Sequence, residues 1–481
     1  MNKHLSLSAV VLSLFSLAAC EGNSGSSGTP GGNTPPLTPG ADAGGGVVPD
    51  LDAMAAGGDC PAPAGGGVDH SGDITADEVW RASDGPHRVT SNVRVLATLT
   101  LEPCVRVVIG PSFGIQVGSA PTPGKVVSQG SNEAGKLLPV VFAAADPAKP
   151  WASLVVDATG TADLSYSVLI GGDAKGAQQN GGGLLRVFGA SSTSAGGVPV
   201  VTKSVRANWV LLQGSEGPGA NMLRYAGFTD DSTALAVRGA RGDAMRIELG
   251  AAAALPSTLA FSQNARDAVL VEQAWSGTLS TTFVKRSVPY DVDGALYVQP
   301  VEDGAPATLT VEPGVTVRFG SARGSSGIFI GSSDTREGQI VARGTASEPI
   351  RFTSAKATPG PGDWMGLYFR HYPVSGTTFE HVTIEYAGGE SSAVGFGCGP
   401  RDNDASLLIL GKRPTEAWVR SSTFRAGGGA TGVVLGWVSD ESGPDFVGDN
   451  TFEEMPACHI SRWRTSSAPV CPDGANPTCL P

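Results

Sequence analysis

Part of this 481-residue chain is written twice. Leu99-Thr-Leu-Glu-Pro-Cys-Val-Arg-Val-Val-Ile-Gly110 recurs as Leu309-Thr-Val-Glu-Pro-Gly-Val-Thr-Val-Arg-Phe-Gly320, and Gly114-Ile-Gln-Val-Gly-Ser119 recurs as Gly327-Ile-Phe-Ile-Gly-Ser332. The register holds on both sides: Pro86-His-Arg-Val89 answers Pro289-Tyr-Asp-Val292, Pro139 to Phe142 answers Pro349 to Phe352, and Trp151 answers Trp364. Gly171-Gly172 likewise answers Gly388-Gly389. A period of roughly 205 to 215 residues makes the body a tandem duplication, divided at 59–276 and 277–481.

Within each copy the apolar residues alternate. Leu309, Val311, Val315, Val317 and Phe319 fall on one side, and Thr310, Thr316 and Arg318 on the other. That is the period of a half-buried strand. Glu312-Pro313-Gly314 breaks the run with a corner, because Pro presets φ and Gly tolerates φ > 0. Further short strands are expected at Ile328 to Ile330, Ile340 to Ala342, Ile350 to Phe352 and Leu367 to Phe369. With 67 Gly and charged residues at 16%, the chain is unsuited to helical bundles, since each interior Gly costs a helix about 1 kcal/mol. The Asp-Gly pairs that tight hairpins favour are scarce, and none joins two clear strands of equal length. Short strands turned at Gly or Pro corners instead predict an all-β fold, a right-handed parallel β-helix. A net charge of −12 argues against a nucleic-acid partner, because phosphate binding rests on clustered Lys and Arg.

The run Leu309 to Gly320, then Gly338 to Ser354, Gly362-Asp-Trp-Met-Gly-Leu-Tyr-Phe369 and Phe379 to Gly389, resembles the repeat series of secreted right-handed β-helix proteins of the pectin-lyase-like group. The resemblance is specific over about 280–390 and weaker over 72–175. It implies ~22 to 25 residues per turn, which over about 420 residues gives about 17 to 19 turns, about 80 to 90 Å of coil at the usual strand spacing.

Met1 to Lys3 give a basic start, and Leu5 to Leu17 an apolar run too short to span a bilayer. Residues 1–19 are expected to be a signal peptide. Leu17-Ala-Ala-Cys20 resembles the lipobox of bacterial lipoproteins, which implies a diacylglycerol on Cys20. Glu21, in place of the Asp that retains such proteins at the inner membrane, implies the outer membrane. Residues 20–58 are read as a lipidated Cys and a flexible Gly/Ser/Pro linker, too poor in apolar residues to offset ordering entropy.

Without Cys20, six cysteines remain: Cys60, Cys104, Cys398, Cys458, Cys471 and Cys479. An even count in an exported chain reads as disulfides. Proximity pairs Cys60 with Cys104, Cys398 with Cys458, and Cys471 with Cys479, among 15 possible connectivities. No C-x-x-C spacing supports zinc.

Catalytic residues are not nominated, nor is a cofactor or a metal. His381, Thr383 and Glu385 alternate with Val382 and Ile384, so they are expected on the outer face of one strand, as a proton-moving or metal-binding pair or as solvated residues. Arg401, Asp402 and Asp404 occupy a polar loop that could meet Arg370 and His371. Trp364 is expected to cover the end of a turn rather than stack on a sugar. The leading reading is a non-enzymatic, lipid-anchored envelope protein with a structural, adhesive, or glycan- or protein-binding role. One alternative is a lyase or glycoside hydrolase acting on acidic polysaccharide, for which the resemblance would imply Ca²⁺. Another is an envelope scaffold that holds partner proteins.

Overall fold

Each corner of the repeat separates two strands whose side chains alternate in and out. Along Ala307–Val311, the side chains of Ala307, Leu309 and Val311 are buried while Thr308 and Thr310 are half-exposed. The following corner needs a left-handed residue, which is Gly314 at φ 75° in the second copy and Cys104 at φ 67° in the first. Thr316–Phe319 then resumes the alternation. A computed structural model describes residues 49–462, apart from 64, 175–181, 191–199, 274–276, 321–325, 372, 391–403, 412–417, 429–430, 438–446 and 457.

Among the described strands nearly every pairing is parallel. Ser131–Glu133 and Lys136–Leu138 form the antiparallel exception. Parallel neighbours joined through corners produce a coil, and this one is a right-handed parallel β-helix. Residues from Pro49 onward form one unit. In the second half its three faces carry the ladders that begin with Thr281–Phe283, Tyr290–Val292 and Ala295–Val298. Each ladder adds one strand per turn, for example Ala295–Val298, Gly327–Ile330, Gly366–Phe369 and Ala405–Gly411.

Turn lengths vary more than the repeat suggests. Val269 stacks on Tyr290, but Ile384 stacks only on Phe424. Loops lengthen many turns, so among the described residues the coil has fewer than the expected 17 to 19.

The two copies do not meet in phase. In the first half Ile115–Val117 belongs to a ladder that runs through Leu154–Val156, Leu185–Phe188, Ala220–Leu223 and Asp243–Glu248 to Arg266–Glu272. The next strand on that ladder is Tyr290–Val292, followed by Thr316–Phe319. By the repeat, those two strands answer His87 to Val89 and Arg106 to Ile109, which lie on a different face of the first half. On this ladder the second copy therefore continues a different face of the first from the one its repeat predicts.

The interior is filled from every face. Val107, Ile109, Leu154, Val156, Leu185 and Val187 fill the first half with aliphatic side chains. The second half is richer in rings: Trp364 is 1% exposed and lies 4.2 Å from Phe319, centroid to centroid. Burying each such side chain contributes about 1.5 to 3 kcal/mol. Close backbone approach also selects glycine at one repeated place. A Cβ on Gly124 would fall 1.9 Å from the Val95 carbonyl oxygen, and one on Gly338 1.9 Å from that of Val298.

The expected linker stops short of residue 58. Leu51–Ala56 is a helix whose N-cap, Asp50, accepts hydrogen bonds from the Asp52 and Ala53 amides. A helix this short is not stable alone. It is held against the outside of the coil by Met54, which is fully buried with Val141, Val168, Leu211 and Ala236. Asp52 pairs with Arg238 at 2.6 Å, Asp59 bonds both backbone groups of Leu137, and Cys60 is disulfide-bonded to Cys104.

Candidate functional site

One outward-facing column follows the continuous ladder across both halves. It passes from Asp73 through Arg94, Gln116, Val155, Arg186, Asn221, Arg246 and Leu270 to Asp291, Arg318, Thr353, Glu385, Arg425 and Glu453. Parallel stacking places each residue directly over the next, so a charge on one turn faces the same position one turn away.

At the junction of the copies this stacking builds a buried ion network. Arg246 Nε lies 2.6 Å from Asp243, and Arg266 Nε lies 3.3 Å from Asp243 and 3.6 Å from Asp291. Arg318 forks onto Asp291, with Nε and Nη2 donating at 2.6 and 3.1 Å. Asp291 is 2% exposed, and burial raises its carboxyl above the usual range against the opposing pull of Arg318 and Arg266. Further along, Glu385 is wholly buried and bonded by Thr353 at 2.7 Å, by Arg351 and by Arg425. Burial would raise this carboxyl too, but Thr353 and the two arginines outweigh it and hold Glu385 below the usual carboxylate range.

Two recesses open on this face. One, of about 590 Å³, lies in the first half and is lined by Asn92, Arg94, Gln116, Asp157, Arg186 and Phe188, among others. Its Phe188 ring is half-exposed, with the guanidinium carbons of Arg186 and Arg224 at 5.2 and 5.8 Å from the centroid. Gln116 donates to the Gly118 carbonyl, which leaves its own amide oxygen as an acceptor. The other recess, of about 410 Å³, lies in the second half and is lined by Arg286, Arg318 and Arg351 with Ser287, Thr316, Thr353 and Ser354. Among the described residues no carboxylate lines it.

The nominated residues do not converge. Glu385 leaves the solvent because neighbouring turns supply two arginines directly against it, which one strand's alternation cannot reveal. His381 stands at the corner before Val382–Glu385, at φ 49°, and does not share that strand. Asp404 is 6% exposed, while Arg401 and Asp402 lie outside the described residues. His371 pairs with Asp334 at 2.5 Å, and the Arg370 guanidinium sits over Phe329. Cys458 is disulfide-bonded, and Cys20, Cys398, Cys471 and Cys479 lie outside the described residues. Among the described residues no group of three or more His, Cys, Asp or Glu is placed to hold a metal ion. Sequence reading missed the arginine-lined recess. Its one available signal was the outward Arg at 318 and 351, visible as members of one recess only once the turns are stacked.

No curated protein and no solved structure matches the chain. Residues 277–408 match the model of a family described as pectate-lyase like beta helix domain. The second half of this right-handed parallel β-helix thus carries a pectate-lyase-like β-helix domain.

Proposed function

We propose that this chain is a lipid-anchored protein of the cell envelope whose β-helix binds a saccharide without converting it. The observation that carries the reading is the first-half recess. Its volume falls in the range of small-ligand sites, and an apolar ring stands there beside amide, carboxylate and guanidinium groups. Phe188 offers the exposed part of its ring to sugar C–H groups, while Asp157, Gln116 and Asn92 offer acceptors and donors for hydroxyls. Two acyl chains on Cys20 would anchor the protein stably. No described helix is long and apolar enough to cross a membrane.

Glycan-array binding of the full-length protein in detergent tests this. Retention of a defined glycan, weakened at least about tenfold (~1.4 kcal/mol) by Phe188→Ala, is expected. Binding indifferent to that change would sink the recess as the site. Release of unsaturated uronate from an acidic polysaccharide would replace binding with lyase action. Cys20→Ser should move the protein from the membrane to the soluble fraction, and unchanged membrane association would remove the anchor.

A further inference from the structure

We infer that the recess formed by Arg286, Arg318 and Arg351 is a binding site for a tetrahedral oxyanion, a phosphate or sulfate ester group. The inference is independent of whether the first-half recess takes a sugar.

The argument starts from charge. The junction network and its continuation set three buried carboxylates, Asp243, Asp291 and Glu385, against Arg246, Arg266, Arg318, Arg351 and Arg425. Arg286 adds a further guanidinium to the recess wall. Its Nη1 and Nη2 donate to the backbone carbonyls of Ser257 and Leu255, and its buried Nε has no partner. The recess wall itself carries Arg286, Arg318 and Arg351, and the carboxylates bonded to its lining residues are Asp291, Glu385 and Asp363, the last also paired with Lys356, in a chain whose net charge is −12.

Donor geometry then selects the class of anion. Arg318 spends Nε and Nη2 on Asp291, and Arg351 spends the same two atoms on Glu385, so each keeps Nη1 unspent. A carboxylate presents its two oxygens in one plane, which a guanidinium fork meets edge on, as Arg318 meets Asp291. Arg318 and Arg351, each through Nη1, and the Thr316 hydroxyl are three separately placed donors on the recess wall, while the Ser287 hydroxyl donates to the Leu259 carbonyl. An ester phosphate or sulfate presents three oxygens in a tetrahedral array and matches these three donors.

The test is calorimetric titration of the full-length protein in detergent at low salt with inorganic phosphate, inorganic sulfate and acetate. Phosphate or sulfate should bind at least about tenfold more tightly than acetate, and added salt should weaken the binding. Glucose 6-phosphate and glucose 6-sulfate, titrated in parallel, distinguish the two ester sources. Arg286→Gln removes a donor but also two backbone contacts, so Thr316→Glu provides the second variant, placing a carboxylate on the recess wall at a half-exposed strand position. With its unfolding midpoint unchanged, Thr316→Glu should weaken oxyanion binding at least tenfold. Absence of oxyanion binding, acetate binding as tight as sulfate, or full binding by a folded Thr316→Glu protein would each overturn the assignment.

Discussion

Trp151 and Trp364 do the same work in the two copies of the repeat. Each indole is buried and donates its N–H to a backbone carbonyl, Trp151 to Ile170 at 2.8 Å and Trp364 to Glu385 at 2.9 Å. Replacing either by Phe should cost about 1 to 3 kcal/mol, from a lost buried hydrogen bond and an orphaned carbonyl, whereas Ala should cost about 3 to 5 kcal/mol. Urea unfolding midpoints of the four variants check both magnitudes, and similar losses at the two sites would confirm that they are equivalent.

Two glycines of the second copy should respond very differently to the same change. A Cβ on Gly338 would overlap the Val298 carbonyl, so Gly338→Ala should fold in poor yield. Gly294 has φ 84° but nothing within 4 Å of its Cβ position, so Gly294→Ala should cost only about 1 kcal/mol of backbone strain. Soluble yield and unfolding midpoint separate the two cases.

Glu385 predicts an acid-sensitive second half. Its folded carboxyl lies below the ordinary value near 4.5, so its contribution is present above that value and is lost as pH falls through the lower folded one. Glu385→Gln should destabilise the protein at neutral pH by about 2 kcal/mol, and the gap from wild type should narrow in acid. A pH series of unfolding midpoints reads this directly.

The first turn should loosen at a milder pH. His70 Nε2 and His87 Nδ1 are 2.9 Å apart, and both rings lie against Trp80. Because His87 Nε2–H donates to the Arg81 carbonyl, His87 Nδ1 accepts from His70 in the neutral pair. Burial, then the proximity of His87, lowers the His70 pKa below 6.5. The unfolded chain therefore takes up its proton first as pH drops through 6.5, and stability falls from there towards the lower folded value. Faster amide exchange in Val68–Ile74 below pH 6.5, abolished in His70→Phe, is the expected outcome.

Removing the Cys60–Cys104 bridge should release the short helix. The bond spans 44 residues, a loop whose closure is worth about 4 kcal/mol in the chain-entropy estimate. Cys60→Ser with Cys104→Ser should raise protease sensitivity at Leu51–Ala56 and expose the apolar patch beneath Met54. Dye binding and limited proteolysis measure the two effects.

The legible part of this molecule was local. Alternation through Leu309 to Phe319 marks inward and outward positions correctly, and the Cys60–Cys104 bridge follows from proximity along the chain. Alternation puts Glu385 on the outward side of its strand but does not reveal its burial, because its partners Arg351 and Arg425 sit on neighbouring turns. The helix at Leu51–Ala56 is not legible in its own residues because its stability comes from surface supplied by Val168 and Leu211, far away in the chain.

The repeat, the alternation and the Gly or Pro corners determine by themselves that this chain coils into parallel stacked strands, since those are properties of neighbouring residues. Which face of one copy continues into which face of the other is a different kind of fact. It depends on how Arg266–Glu272 meets Tyr290–Val292, and on loops whose lengths vary from turn to turn. That change of face puts Arg246, Arg266, Asp291 and Arg318 into a shared network and gives the second half its basic recess, an arrangement that only the tertiary structure decides.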